Sequence, residues 1–436
     1  MKKIIFIIAI ITTTFSLHAQ KVWTLDECVD YAMEHNLTIL QSVVSQNSAS
    51  FQYKMSKNAW LPTVNAEASQ SLGFGQSPSA NGVYVQNNSA STSFGISLGM
   101  PLFNGLNLYY QTKSSNLGLE ASKKDLEAAK YDLKLLIMAY YMQVVYNKEL
   151  KAVAEKQLAL TEEQYAKTQQ QFELGKVAES NVYESAAQVA TAKSTLVQAD
   201  NTLMLSILDL VQTLELESVD DFDVVSPEDF NGMTSPSLPS QETTYEFALQ
   251  HQPKIEAANM RLEKAYSDVK SRKSAWYPSL SLYAGYSTGY YNYFSQGYVN
   301  DPFEDQLSNN GRTQVGVRLS IPIFNAMQTK YNVNISKLSI ENQEIAINTA
   351  KKELRKEIQQ AFYNAVASEQ KYKAAEETYN AAEIAYRYSS ESYDAGKANL
   401  LELNESKNRL FKSESEMLQA KYEYIYRVKV LDFYNQ

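Results

Sequence analysis

The segment SFGISLGMPLFNG at residues 93–105 returns as QVGVRLSIPIFNA at residues 314–326, an offset of 221. AWLPTVNAEAS at 59–69 returns as AWYPSLSLYAG at 275–285, an offset of 216. A chain that repeats itself over this distance is two copies of one supersecondary plan, so each element is assigned once for both copies. The five extra residues of the second copy fall between Trp276 and Pro322. That is the connection between paired strands, where chain length is cheapest to vary.

Proline sets the element types. All ten prolines avoid residues 102–226 and 323–436. Proline inside a helix removes a hydrogen bond and clashes with the preceding turn, so its absence leaves both spans free to be helical throughout, interrupted only near Gly175 and Gly396. Each repeat then reads helix, strand, strand, long helix, short helix. The first repeat is expected at 20–217, with strands at about 63–75 and 91–103, a long helix at 105–172 and a shorter one at 177–217. The second is expected at 243–436, with strands at about 279–290 and 312–324 and helices at 326–393 and 399–434. One leading helix is expected per repeat, at 25–59 and 245–275, and a Ser/Asp/Pro-rich linker at 218–242. The two long helices would each run about 100 Å at 1.5 Å per residue.

Large residues recur every seven positions on these helices, as in Val182, Val189, Leu196, Leu203 and Leu210, or Tyr372, Tyr379, Tyr386 and Tyr393. Small residues follow three positions after most of the knobs on the shorter helices, among them Ser185, Ala192, Ser406 and Ser413. Large beside small on a heptad seam is the pattern of close-packed, supercoiled helical hairpins.

The strands alternate. Phe94, Ile96, Leu98 and Met100 share one face and Ser93, Gly95, Ser97 and Gly99 the other; Val315, Val317, Leu319 and Ile321 oppose Gln314, Gly316, Arg318 and Ser320. Nine to eleven residues with one lipid-like face match a membrane β-strand, although a half-buried sheet on a helical layer would give the same alternation. Trp60, Trp276, Tyr277, Phe103 and Phe324 lie where strands meet helices, as an interfacial aromatic girdle would. Four strands cannot close a barrel, and lipid tolerates no open edge, so a membrane reading requires several protomers in one sheet. Pro101 and Pro322 are expected to end the ladder and preset the first turn of the following helix.

Residues 1–19 combine a basic start at Lys2 and Lys3, an apolar run at 4–11 and a small residue at Ala19, the pattern of a secretory signal peptide. The formal charge is −9; loss of that segment takes it to about −11, against nucleic acid as a partner. The lone Cys28 is too far from the expected cut to carry a lipid and is read as a buried thiol. His35 and His251 are repeat equivalents without further metal ligands in view, so no metal and no cofactor are expected. No nucleophile paired with a base and no phosphate loop is visible, so no enzyme is expected.

Taken together, the signal peptide, the two repeats, A-W-x-P before the strands, P-x-F-N after them, and glycine-centred helix tips at FELGKVAESNV and YDAGKANLLEL resemble the TolC family of outer-membrane efflux proteins. The resemblance implies a mainly α fold with membrane β: four strands per protomer of a trimeric twelve-stranded barrel, above a long coiled-coil α-barrel. It implies a passive exit duct of a tripartite efflux or type I secretion system, in the outer membrane and periplasm of a Gram-negative bacterium. Its partners would be its own copies, outer-membrane lipid, a periplasmic adaptor (membrane fusion) protein and an inner-membrane pump of RND or ABC type. The adaptor-docking tips would be Leu174, Gly175, Lys176 and Val177, and Ala395, Gly396, Lys397 and Ala398. The periplasmic gate would include Tyr393, with an acidic ring from Glu402 and Glu405. Asn181 stands where the family prototype has an aspartate facing that tyrosine, and Ala398 where it has an arginine. From the residues alone, a periplasmic coiled-coil scaffold or tether without a pore is the alternative, as is a secreted fibre.

Overall fold

The computed structural model describes residues 21–78, 81–219, 222–225, 240–294 and 299–435. The expected signal peptide and most of the 218–242 linker lie outside the described residues. The described residues divide into two units, one from the spans 21–42, 127–252 and 352–435, the other from the spans 43–126 and 253–351.

The second of these is built around a four-stranded antiparallel sheet. Its strands are β2 (Thr63–Gly73), β5 (Ser89–Asn104), β7 (Ser279–Tyr293) and β8 (Arg312–Ser320), in the order β2-β5-β7-β8. A short hairpin of β3 (Gln76–Pro78) and β4 (Tyr84–Gln86) tips the first strand pair, and α7 (Phe303–Asn309) lies in the longer connection of the second. The helices follow the same order as the strands. α2 (Leu37–Asn58) leads into β2, and Thr112 of α3 (Asn107–Glu173) donates to the Ser56 carbonyl of α2. α3 joins α6 (Pro253–Lys273) through Arg261 with Asp125 and Lys124 with Glu256. Tyr266 of α6 donates to Glu344 of α8 (Gln328–Asp394). α2 with β2, and α8 with β8, are therefore the outer edges of this unit.

In the other unit α3 is bonded on one side to α4 (Glu179–Thr213), through Lys151–Asp200 and Lys193–Glu162. On its other side Lys156 pairs with Glu414 of α9 (Leu400–Phe433), and α9 is bonded to α8 through Glu423 and Lys371. The order is α4, α3, α9, α8. Small residues keep the seams close, with Ser185, Ala192, Ser206, Ser406, Ser413 and Ala420 all buried. A parallel pair, β1 (Lys21–Trp23) with β6 (Phe222–Val224), is clamped by Tyr141, whose hydroxyl is shared between the carbonyls of Val225 at 2.6 Å and Trp23 at 3.1 Å. Burial raises the Tyr141 pKa, so this clamp stays protonated far into alkali.

Each leading helix is broken in two. α1 (Leu25–His35) ends at Asn36 and α5 (Gln241–His251) at Gln252, both extended and exactly one repeat apart in their roles. Pro253 accounts for the second break, because the residue before a proline is excluded from helical backbone. At the first, the Asn36 amide donates to the Thr213 carbonyl and its Oδ1 accepts from the Thr38 N–H. His35 and His251 close α1 and α5 alike: each Nδ1–H donates to a carbonyl one turn back at 2.9 Å, and each ring stacks on Tyr31 or Phe247.

Candidate functional site

The strand register sorts the sheet into two unlike faces. Val64, Ala66 and Ala68 stand beside Leu98, Ile96 and Phe94, which stand beside Ala284, Tyr286 and Thr288; Leu282 stands beside Val317 and Leu280 beside Leu319. The opposite face carries Glu67, Ser69, Ser93, Ser97, Ser281, Tyr283, Ser287 and Arg318. The apolar face is uncovered: Val64 is 63% exposed, Ile96 54% and Val315 72%. A contiguous apolar patch of this kind is unfavourable in water and marks a surface meant for lipid or protein. On the polar face the Ser69 and Ser93 hydroxyls meet at 2.7 Å, and the Arg318 guanidinium lies 5.4 Å from the Tyr283 ring centre. Both sheet edges, β2 and β8, offer unpaired backbone groups.

Strand passes into helix through a left-handed corner. Gly105 and Leu106 have φ of 62° and 68°, and their repeat equivalents Ala326 and Met327 have 53° and 63°. The expectation that Pro101 ends the ladder is corrected here: Pro101 lies inside β5 opposite Ser281, and the strand runs on to Asn104. A register shift between Pro101 and Phe103 absorbs the missing N–H, as a bulge allows. Pro322 lies beyond the last residue of β8, in the segment before α8. Trp60, Phe103, Trp276, Tyr277 and Phe324 are all exposed around these corners.

The two helix tips share one geometry. Gly175 N–H donates to Phe172 O and Lys176 N–H to Gln171 O, both at 2.8 Å; Gly396 N–H donates to Tyr393 O at 2.9 Å and Lys397 N–H to Ser392 O at 2.8 Å. These paired bonds form a Schellman motif, which needs a left-handed residue at the position each glycine fills, with φ of 69° and 73°. The space beside each glycine is open. Leu174, Lys176, Ala395 and Lys397 stand exposed around the turns, with Val177 and Ala398 half-buried.

Behind the second tip, Tyr393 packs with Leu400 and Leu403, flanked by Tyr386 and Ala398. Its hydroxyl donates to Gln171 Oε1 of α3 at 3.3 Å, a partner that sequence reasoning did not name. Lys167 pairs with Asp394 across the same helices. Asn399 caps α9 by accepting from the Glu402 N–H at 2.8 Å, and its amide approaches Glu402 Oε1 at 3.4 Å. Glu402 and Glu405 are both exposed, one turn apart. Further along α9, Lys407 is buried and donates to Thr161 Oγ1 at 3.3 Å; desolvation lowers its pKa. Among the described residues no group of three or more His, Cys, Asp or Glu side chains converges to hold a metal.

With two unlike sheet faces, left-handed strand-to-helix corners and paired helical hairpins in place, comparison with known proteins gives the class: the chain belongs to the outer membrane efflux protein family, whose family model matches residues 28–214 and 244–432. Its role is that of the family, export across the outer membrane. Among its relatives, the cation efflux system protein CusC of Escherichia coli O157:H7 is 22% identical over 90% of this chain and 82% of its own length. The alkaline protease secretion protein AprF of Pseudomonas aeruginosa is 22% identical over 70% of this chain and 61% of its own. The crystal structure of the Campylobacter jejuni CmeC outer membrane channel shares the fold, with a TM-score of 0.79 at 19% identity over 94% of this chain and 85% of that one.

Proposed function

We propose that three copies of this chain close one barrel in the outer membrane, each supplying four of twelve strands, and act as a passive exit duct. The observation that carries this reading is the uncovered apolar face on a sheet with two open edges. In lipid that face is solvated by acyl chains, and the edges are tolerated only if β8 of one protomer pairs with β2 of the next. The edge helices support it. α2 exposes Val44, Phe51 and Met55, α4 exposes Tyr183 and Val197, and α8 exposes Ile335, Ile345, Tyr363 and Tyr388. These side chains find partners when neighbouring protomers continue the ring of helices.

The duct works without binding its cargo. Its polar sheet face lines the water-filled side, and the two glycine tips form the end that meets a periplasmic adaptor, which links the duct to an RND- or ABC-type pump of the inner membrane. CusC and AprF bear names from cation efflux and protease secretion; in this reading such differences of cargo belong to the pump. Residues 1–19 direct export, and Cys28, buried at the start of α1, carries no acyl chain.

Mass measurement of the detergent-solubilised protein should give a trimer that dissociates on heating; a monomer would remove the barrel reading. In that trimer, Gly175→Val with Gly396→Val should stop export in cells while leaving the trimer in the membrane. Normal export by the variant would count against docking through the tips.

A further inference from the structure

At the foot of the apolar sheet face lies a cleft of 410 Å³ lined by Phe103, Tyr110 and Tyr277 together with Lys270 and Lys273. Its floor is backbone. Gly105 turns so tightly against the 3-10 turn that follows α6 that a Cβ there would stand 2.5 Å from Ser274 O and 2.8 Å from Tyr277 Cβ. The Asn107 amide donates to Ser271 O and Ser271 Oγ, both at 3.0 Å, pinning the start of α3 to the end of α6. The cleft is therefore fixed before any ligand arrives.

Its position and charge point to a ligand. Phe103 stands opposite Leu280, the last register position of the apolar face, so the cleft opens where that face ends. Trp276 and Tyr277 are exposed beside it. Among the described residues neither Lys270 nor Lys273 is in an ion pair; Lys270 Nζ stands 5.8 Å from the Tyr110 ring centre. Two exposed lysines alone are ordinary solvated groups. Here they flank a rigid aromatic cleft at the end of a lipid-length strand, and most of the arrangement is written twice.

The offset of 216 carries Lys270, Lys273 and Trp276 onto Lys54, Lys57 and Trp60, while Tyr277 falls on Leu61. The offset of 221 carries Phe103, Leu106 and Tyr110 onto Phe324, Met327 and Tyr331. The corner is repeated too, at Ala326 and Met327, although alanine gains nothing from a positive φ. In one chain the two halves of this second set stand at opposite edges, the lysines on α2 and the aromatics before and within α8. Phe324 and Tyr331 are 76% and 61% exposed.

We propose that these clefts bind the phosphate of an anionic phospholipid in the periplasm-facing leaflet, one within each protomer and one assembled between neighbours. This assignment rests on the outer-membrane reading above. The lysine ammonium groups meet the phosphodiester, the hydroxyls of Tyr110 and Tyr277 in the first cleft and of Tyr331 in the second donate to it, and the acyl chains of the first continue along the apolar face past Phe103 and Leu280. Lysines that extend from an apolar surface to the headgroup level, beside interfacial aromatics, are suited to this work. The adjoining apolar face favours a lipid over a free phosphate ion. The intersubunit copy makes the lipid a bridge between protomers.

Trp276 reports on the first cleft. In vesicles, a Trp23→Phe/Trp60→Phe variant should have Trp276 quenched more strongly by brominated phosphatidylglycerol than by brominated phosphatidylcholine, with a relative affinity higher by roughly tenfold. Adding Lys270→Gln and Lys273→Gln should bring the ratio to one and leave quenching by the choline lipid unchanged. In the otherwise unmodified reporter, salt at about 1 M should flatten the preference. A Trp23→Phe/Trp276→Phe variant should show the same preference at Trp60, lost on Lys54→Gln/Lys57→Gln. A wild-type ratio of one, or a preference that survives loss of the lysines, overturns the site. Abolition of the preference by millimolar inorganic phosphate overturns the lipid in favour of a soluble anion. Quenching by neither lipid would overturn the membrane reading itself, and the site with it.

Discussion

Lys407 brings an ammonium into the seam between α3 and α9 with Thr161 Oγ1 as its hydrogen-bond acceptor, and it is 3% exposed. Its folded pKa is lowered by burial, so the unfolded chain holds this proton more tightly than the folded one. Stability gained at this site therefore rises with pH between the lowered folded pKa and the ordinary lysine value of about 10.4. Tyr434 acts in the opposite sense: burial and Glu357 push its pKa up to about 12, so its contribution is lost as pH climbs from about 10 through that value. Lys407→Met should raise the stability of the folded chain by about 1–3 kcal/mol at neutral pH and flatten the alkaline slope below pH 10. Thermal unfolding of both proteins across pH would show it; an unchanged slope would mean the lysine reaches water. Nothing in NESKNRL marks this lysine as different from its neighbours, because its burial depends on a helix 246 residues away in the chain. Gln171, the partner of Tyr393, was hidden for the same reason, at a separation of 222. Tyr393 itself was legible as the last knob of a heptad.

At the scale of elements, the mainly helical fold was legible because proline excludes helix and its absence from two long spans is informative. The alternation of the strands was equally legible, since period two needs only local sequence. What local sequence could not show is where a strand stops. Pro101 reads as a terminator, yet a bulge lets the ladder pass it, and the turn falls instead on Gly105 and Leu106. The single leading helices expected at 25–59 and 245–275 missed both breaks: Pro253 marks the one at Gln252, but its equivalent at Asn36 has no proline and rests on the contact with Thr213, far away in the chain. The corner makes a paired prediction. Gly105→Ala adds a methyl into Ser274 and strains a left-handed residue, and should lower trimer stability by at least about 1–2 kcal/mol. Ala326→Gly relieves the same backbone at the other corner and should raise it by up to about 1 kcal/mol. Heat dissociation in detergent would rank the two; destabilisation by Ala326→Gly would show that side-chain packing, not φ, governs that corner.

For the whole assembly, the threefold symmetry of the proposed trimer would turn Glu402 and Glu405 into rings of carboxylates if α9 faces the passage. Such rings favour cations. Glu402→Gln with Glu405→Gln should reduce cation preference in planar bilayers, read as a reversal potential moving toward zero in a salt gradient, and weaken block by multivalent cations added from the periplasmic side. The cap of α9 should survive, because Asn399 bonds the Glu402 backbone N–H. Unchanged selectivity would mean that these are ordinary solvated carboxylates.

The strand register also dictates an order of events during folding. β2 with β5 and β7 with β8 pair residues within one repeat, down to Gly73 with Ser89 and Ser287 with Arg312, so each can form soon after its own segment is available. β5 with β7 joins residues from 175 apart, Asn104 with Ser279, to 204 apart, Ser89 with Tyr293. That closure bears a loop entropy the local hairpins do not, and it cannot begin until the second repeat has been delivered. In the proposed trimer the remaining pairing, β8 with β2, would be between chains, and its rate would depend on concentration. Until it happens, each monomer presents two sticky strand edges and an apolar face at once. On that reading membrane insertion has to outrun aggregation, and the most vulnerable species on the route is the completed monomer waiting for its neighbours.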